Sequence, residues 1–179
     1  MGLNRWCRRL PCLCLVIWLV FAGAAAGARS TASERHPEGE IFLYFVDPEA
    51  GYLAGEPRNF NFSNERKDPG QFYTRIVEEL ISGPKTSLEA PFSAQTDVRG
   101  VYAGTAGVAY VDLSAEAADL HTKGVRSELL SVYSIVNTLI LNSNGIQAVQ
   151  ILIEGSPVQT LAGHVDIRLP LNAQMLLVR

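Results

Sequence analysis

The stretch "DPGQFYTRIVEELISGPKT", residues 68–86, predicts a helix whose two ends are both marked in the sequence. Asp68 can accept hydrogen bonds from the free amides of a first turn, and Pro69 suits the first helical position. Gly83 favours the left-handed conformation in which helices end, and Pro84 prevents continuation. The apolar residues between these ends recur at the spacing of one helix face: Phe72, Ile76, Val77 and Leu80. Such a helix needs a second layer on which to bury that face.

The next segment predicts a β-hairpin. It reads "TDVRGVYAGTAGVAYVDLS", residues 96–114, and two short apolar stretches are joined by a turn between Gly104 and Gly107. Every second side chain of a strand points to the same face, so we expect Val98 and Tyr102 to point inward from the first strand. For the second strand the alternation allows either of two pairs to face inward: Val108 with Tyr110, or Val111 with Leu113.

A second, longer helix is predicted from "GVRSELLSVYSIVNTLILNSNG", residues 124–145. We expect it to end at Asn144 and Gly145, a pair that favours a left-handed cap. Its apolar residues recur at one-face spacing: Val125, Leu129, Val132, Tyr133, Val136, Leu139 and Ile140. Three further residues widen this face, so the helix is predicted to be covered on more than one side: Leu130, Ile135 and Leu141.

A strand follows the second helix in "AVQILIEGSPVQTL", residues 148–161. Val149, Ile151 and Ile153 alternate, which places them on one face. A turn through Gly155-Ser156-Pro157 then leads to a short return strand.

Two strands are predicted before the first helix. "EIFLYFVDPEAGYL", residues 40–53, is typical of a buried strand followed by a turn at Asp47-Pro48. "PRNFNFS", residues 57–63, indicates a second strand with Phe60 and Phe62 pointing inward.

After these two strands the order of elements is helix, strand, strand, helix, strand. Two helices on one face of a mixed or antiparallel sheet would bury both apolar stripes. The sequence therefore predicts an α+β class and a single two-layer domain over residues 40–179.

The first 28 residues predict a signal peptide or an N-terminal membrane anchor. Arg5, Arg8 and Arg9 precede an apolar run that ends in the small residues of an A-x-A cleavage pattern. The polar residues 29–39 indicate a linker. By the positive-inside rule the domain would lie outside the cytoplasm. All three cysteines lie in residues 1–28, so the predicted domain contains no thiol for a disulfide, a redox pair or a metal site.

Charge argues against a nucleic-acid partner. Three of the 15 Lys and Arg residues lie in residues 1–28, which contain no acidic residue, so the rest of the chain carries 12 basic and 18 acidic side chains. Binding to a phosphate backbone depends on clustered Lys and Arg.

Five segments, taken in order, resemble the sporulation and spore germination domain called GerMN: "FLYFVDPEAGYL", "VEELISGPKT", "GVAYVDLS", "LLSVYSIVNTLI" and "VQILIEGSPVQTLAGHVDIRLPL". The resemblance covers nearly all of residues 40–171. It implies an exported, envelope-associated domain with a helix-strand-strand-helix-strand core similar to ring-building modules, which act by protein–protein interaction and not as enzymes. The founding spore proteins carry two such units, whereas this chain carries one.

His164 and Asp166, in the stretch "LAGHVDIRLPL", are the most suggestive pair for chemistry. A carboxylate can orient a catalytic or metal-binding His, but a metal site needs three or four ligands and the other histidines are the linker residue His36 and His121 in a polar loop. We therefore expect no metal and no cofactor. We interpret six residues as structural: Gly83, Pro84, Asp112, Gly163, His164 and Asp166.

Other catalytic arrangements find little support. Asp112 with Glu116 and Glu78 with Glu79 are possible carboxylate pairs, but the first is placed to cap amides at a helix start and the second to lie on a wet helix face. Ser156 lies in a turn and lacks the surrounding pattern of a nucleophile elbow.

The sequence favours two functions over a third, a hydrolase. The first is a non-enzymatic envelope domain that binds other envelope proteins or copies of itself, with no small-molecule substrate. The alternative is a module for an envelope ligand such as a glycan or peptidoglycan, with Tyr44, Tyr52 or Tyr73 as aromatic platforms.

Overall fold

The structure, a computed structural model, describes residues 40–60 and 68–179, and within these the side chains of residues 120–123 are not described. The predicted signal peptide or anchor and the linker lie outside the described residues, as does Phe62. In the part of the chain that is described, no helix combines the length and apolarity needed to cross a bilayer.

The described chain forms six strands and two α-helices: β1 (Glu40–Asp47), β2 (Tyr52–Asn59), α1 (Pro69–Ile81), β3 (Val98–Ala103), β4 (Val108–Leu113), α2 (Val125–Leu141), β5 (Ala148–Ile153) and β6 (Ser156–Pro157). Short 3-10 turns span Thr105–Gly107, Ala115–Lys123 and Met175–Leu177. β1 and β2 form an antiparallel hairpin of their own, and the other strands form a mixed sheet in the order β3-β4-β5-β6, in which β4 and β5 are parallel. The predicted α+β class is confirmed, with two sheets instead of one.

One hydrophobic core joins both sheets and both helices. The hairpin contributes Ile41, Leu43 and Phe45, and the inner face of the mixed sheet contributes alternating residues such as Val111 and Ile151. Both helices bury their apolar stripes in the same cluster: Phe72, Ile76, Val77 and Leu80 from α1, and Val132, Ile135, Val136 and Leu139 from α2. The burial of α2 is continuous from Ser134 to Leu139, so the middle of this helix is covered on more than one side, as its sequence predicts. Val125 and Leu141, at the ends of the predicted apolar face, are exposed.

The ends of α1 follow local chemistry. The Asp68 carboxylate accepts hydrogen bonds from the backbone amides of Gly70, at 2.9 Å, and Gln71, at 3.4 Å. After the helix, Gly83 has a φ of +94°, which L side chains rarely adopt. The chain then turns toward β2.

The second strand begins earlier than the sequence predicts. β2 starts at Tyr52 because residues after Asp47 form a tight turn, in which the Asp47 carboxylate accepts hydrogen bonds from the amides of Glu49 and Ala50. The strand ends at Asn59, and Phe60 packs partly buried against the core just beyond it.

The inward set of β3 also differs from the prediction. Val101 is buried, whereas Tyr102 is 57% exposed, because an irregularity between Val98 and Gly100 shifts the register of the strand. On β4 the second of the two open sets is correct: Val111 and Leu113 are buried.

The second helix ends at Leu141, before the predicted Asn144-Gly145 cap. The side chain of the next residue, Asn142, donates from its Nδ2 to the carbonyl of Thr138, at 2.7 Å, and to that of Phe42, at 2.6 Å. Its Oδ1 accepts from the Phe42 amide at 2.9 Å. A side-chain amide thus ends the helix and pairs with β1.

The outer edge of β1 is occupied by further contacts. The Tyr44 amide donates to Thr138 Oγ1 at 3.1 Å, and Val46 exchanges two backbone hydrogen bonds with Glu89. The unpaired backbone groups of a strand edge can pair with another chain, so these contacts protect the hairpin from such pairing.

The other strands are protected in similar ways. The Val101 amide on β3 donates to Thr74 Oγ1 of α1 at 2.9 Å. Val149 on β5 exchanges two backbone hydrogen bonds with Leu171, and Pro57 leaves β2 without one donor.

Candidate functional site

His164 and Asp166 bind different partners. The His164 Nδ1 lies 3.0 Å from Oε2 of Glu128, a residue in the first turns of α2. Asp166 pairs at the surface with Arg168, whose Nη2 lies 2.6 Å from Oδ2. The hypothesis that the two residues form a base and its orienting carboxylate is therefore not supported by their contacts.

Glu128 is the centre of this region, and its side chain is 0% exposed. Its Oε1 accepts hydrogen bonds from the amides of Leu161 and Ala162, both at 2.9 Å. Its Oε2 accepts from the His164 amide at 2.8 Å. We call residues 161–165 the tail loop. Several of its backbone amides donate hydrogen bonds to this one buried carboxylate.

The protonation of Glu128 follows from these contacts. Burial alone raises the pKa of a carboxyl group. Hydrogen bonds from the amides of Ala162, His164 and Val165 and from the His164 ring outweigh burial, so the pKa of Glu128 lies below its ordinary value. Glu128 is therefore ionised at neutral pH and bound by donors around it, which leaves it a poor proton acceptor.

Asp166 is a surface group. The Arg168 side chain and amide hydrogen-bond to its carboxylate and lower the pKa of Asp166 to about 2. Exposed ion pairs of this kind contribute little to stability, because water and salt screen them. Gly163, between the two halves of the loop, has a φ of +97° and open space around it.

A second buried carboxylate, Glu56 on β2, gathers the loop that follows α1. It accepts from the Lys85 amide at 3.1 Å, the Thr86 amide at 3.0 Å and the Thr86 hydroxyl at 2.5 Å. It also accepts from Nε of Arg58, at 2.8 Å. The "GPKT" end of the first predicted helix is thus bound to the hairpin.

Arg58 is a buried cation at the same place. Its Nη2 donates to the Gly83 carbonyl at 3.1 Å, its Nη1 lies 3.4 Å from Glu79, and its guanidinium lies 5.7 Å from the centre of the Phe45 ring. Burial raises the pKa of Glu56, but the Thr86 hydroxyl, the Lys85 amide and the Arg58 charge together bring it below its ordinary value. Glu79, predicted on a wet helix face, is instead part of this cluster.

Asp112 binds a turn and not the following helix. Its Oδ1 accepts from the Gly155 amide at 2.7 Å, and its Oδ2 accepts from Arg99 Nε at 3.2 Å. Arg99 also pairs with Glu154 at 2.9 Å. The expectation that Asp112 caps helix amides is wrong, because both oxygens of its carboxylate are bound by other groups, the Gly155 amide and Arg99. Pro84 follows Gly83 in a loop without a regular element, and both residues are partly buried.

The tyrosines chosen from the sequence do not form open platforms. Tyr73 is 2% exposed and shares a hydrogen bond with Ser143 at 2.7 Å, and Tyr44 is half-buried. The Tyr52 ring is covered by two guanidinium groups, from Arg126 at 5.2 Å and Arg179 at 4.3 Å. Tyr102 and Tyr110 are the large exposed aromatics of the mixed sheet.

Among the described residues, no group of three or more His, Cys, Asp or Glu side chains could bind a metal ion. Ser156 is exposed on β6.

Sequence reasoning missed Glu56, Arg58 and Glu128. Glu128 precedes Val132 by four residues, so the helical spacing already placed it on the apolar face, where an acid needs a partner. Glu56 and Arg58 share one face of β2. Because the sequence predicts that this strand starts only at residue 57, Glu56 falls outside the predicted strand and the pairing of the two residues is not recognised.

A family model described as Germane, sporulation and spore germination, matches residues 42–159. No curated protein matches the sequence.

Solved structures share the fold. The first GerMN domain of the sporulation protein GerM from Bacillus subtilis has a TM-score of 0.58 and 21% identity, over 76% of this chain and 98% of that one. The tandem GerMN domains of the same protein give 0.53 and 22%, over 73% of this chain and 45% of that one. A Clostridium perfringens protein described as a candidate lipoprotein gives 0.55 and 20%, over 79% and 91%. Because the family model matches well over half of the sequence, the chain belongs to the Germane family of sporulation and spore germination domains.

Proposed function

We propose that this protein is a non-enzymatic domain on the outer side of the cytoplasmic membrane, and that it acts by binding other envelope proteins. The hydrogen bonds of Glu128 are the observation that supports a non-enzymatic role. Its two oxygens bind amides of the tail loop and the His164 ring, so the most suggestive polar cluster in the sequence serves to anchor a loop.

The location is supported by the N-terminal pattern of arginines followed by apolar residues. The fold shared with a candidate lipoprotein of Clostridium perfringens points the same way. An introduced cysteine tests it: Thr105→Cys should react with a membrane-impermeant maleimide in intact cells. The unmodified chain is the control, and labelling only after lysis would contradict the location.

The exposed face of the β1–β2 hairpin is the surface that we assign to partner binding. Phe42 is 41% exposed, Pro57 is its cross-strand partner, and Gly55 lies beside the rings of Phe42 and Tyr44. Because side chains and loop segments occupy the strand edges at the positions described above, the contact would use side chains and not strand addition. Aromatic side chains, Phe among them, are enriched at protein interfaces relative to the rest of the surface.

Photo-crosslinking in intact cells tests this assignment. A photoreactive phenylalanine at Phe42 should give a recurrent envelope protein adduct, identified by mass spectrometry. The same residue at Glu49, exposed in the turn at the end of the hairpin, is the control. Equal adducts from both positions, or none from Phe42, would contradict the assignment, and a ladder of the chain with itself would identify the partner as a second copy.

A further inference from the structure

A groove of about 430 Å³ with a mixed polar and apolar lining lies between α1 and β3. Side chains of Gln71, Arg75 and Glu78 line it from the helix, and Arg99 and Tyr102 line it from the strand. Its volume is within the usual range of small-ligand sites, which is roughly 300–1,000 Å³.

Tyr102 provides an aromatic surface at the edge of this groove. It is 57% exposed, and its cross-strand partner Tyr110 is 37% exposed. Both rings pass over glycines: a Cβ on Gly100 would lie 2.9 Å from the Tyr102 hydroxyl, and one on Gly104 would lie 2.6 Å from the Tyr110 ring. The glycines therefore let two neighbouring rings lie low on the open face of the sheet.

The charges of the groove are paired internally. Arg75 lies 3.3 Å from Glu78, and Arg99 bridges Asp112 and Glu154. A charged ligand would have to displace one of these pairs, whereas an uncharged ligand with many hydroxyl groups can hydrogen-bond to their outer atoms.

A peptide strand is a poor fit for the same groove. Addition of a strand to β3 requires free backbone groups at its edge, but the Val101 amide already donates to Thr74 Oγ1. The groove therefore favours recognition by ring stacking and side-chain hydrogen bonds.

We infer that the α1–β3 groove binds an uncharged saccharide chain. The apolar C–H face of one pyranose ring stacks on Tyr102, and the chain continues toward Tyr110 on the open face of the sheet. The amide of Gln71 and the outer atoms of Arg75 and Arg99 bind the hydroxyl groups. This site is separate from the hairpin face assigned to protein partners.

Calorimetric titration of the full chain with the β-1,4-linked hexamer of N-acetylglucosamine tests the inference. We expect binding in the wild type, a loss of about tenfold or more in Tyr102→Ala, and a change within about threefold in Tyr102→Phe, which keeps the ring. Met175→Ala removes a comparably exposed apolar side chain that does not line the groove and should leave binding unchanged. Gln71→Ala, on the exposed side of α1, should weaken binding without any change to the sheet.

Absence of wild-type binding at millimolar saccharide would overturn the inference, as would equal binding by wild type and Tyr102→Ala. If Tyr102→Ala loses its fold by circular dichroism, the Gln71→Ala titration decides: unchanged affinity overturns the inference. Titration with the glucose-only β-1,4 hexamer separates two sources of the ligand, because a preference for the N-acetylated chain points to cell-wall glycan and equal binding points to polysaccharides in general.

Discussion

Glu56 and Glu128 perform the same task in two parts of the molecule, but different donors balance their charges. Each is a buried carboxylate that gathers backbone amides of a loop distant in sequence. Glu56 has a buried guanidinium beside it, from Arg58, whereas Glu128 is surrounded by amides and one half-exposed imidazole. The first site is a buried ion pair with a loop attached, and the second is a carboxylate bound mainly by dipoles.

Because the donors differ, removal of one partner should destabilise the two sites in different ways. A buried ion pair leaves a second charge unpaired when one partner is removed, so its loss is costly. A carboxylate bound by amides leaves only neutral donors behind, so its loss should loosen the tail loop more than the whole domain.

The largest expected effect is from Arg58→Ala, which leaves Glu56 ionised in the core without its cation. We expect a loss of about 3–5 kcal/mol in the free energy of unfolding, measured by urea denaturation. Arg75→Ala, in an exposed helix pair with Glu78, is the control and should cost at most about 1 kcal/mol. Equal losses in the two variants would mean that the Arg58 cluster behaves as a surface pair.

Glu128→Gln should have an intermediate effect. The amide keeps one acceptor oxygen but loses the charge and the second acceptor, so about 1–3 kcal/mol is expected. Hydrogen exchange should accelerate first at Leu161, Ala162 and His164. Uniform acceleration over the whole domain would show that the tail loop is not a separate local unit.

Acid should weaken both sites. The pKa of each carboxyl is lower in the folded chain than in the unfolded chain, so the unfolded chain binds protons first as pH falls. The stabilisation is complete above the unfolded value, about 4.3, and is lost as pH falls below it. The free energy of unfolding measured from about pH 6 to pH 3 should therefore decline less steeply in Glu128→Gln than in the wild type. Parallel curves would contradict the role of Glu128.

The smallest effects are expected within the tail loop. His164→Ala removes one donor of several from Glu128 and should cost at most about 1 kcal/mol, because its ring is partly exposed. Asp166→Ala should leave the melting temperature unchanged, because the Arg168 pair is at the surface. A larger effect from Asp166 than from His164 in calorimetry would reverse this order.

Local signals predicted the helices well. The Asp68 cap and the Gly83 turn act within a few residues, so they can be read without knowledge of the fold. The end of α2 was misplaced because Asn142 bonds to Phe42, a residue 100 positions away. The inward set of β3 was wrong because an irregularity before Gly100 has no sequence signal as strong as the alternation it interrupts.

The candidate site was less predictable than the fold. The sequence singled out His164 and the Gly83–Thr86 turn, but not the carboxylates that bind them. Glu128 lies 33 to 36 residues before the amides from which it accepts hydrogen bonds. Glu56 lies 29 to 30 residues before the amides that donate to it. Such pairings depend on how helices and strands pack, which no local pattern encodes.

The side-chain protection of β1 has a consequence for the order in which the chain folds. The hairpin is complete at Asn59, but the side chains that cover its outer edge belong to Thr138 and Asn142. Until α2 has packed against the hairpin, the amides of Phe42 and Tyr44 therefore lack these acceptors and that edge is open. An open edge can pair with a strand of another chain, and the packing of α2 closes it.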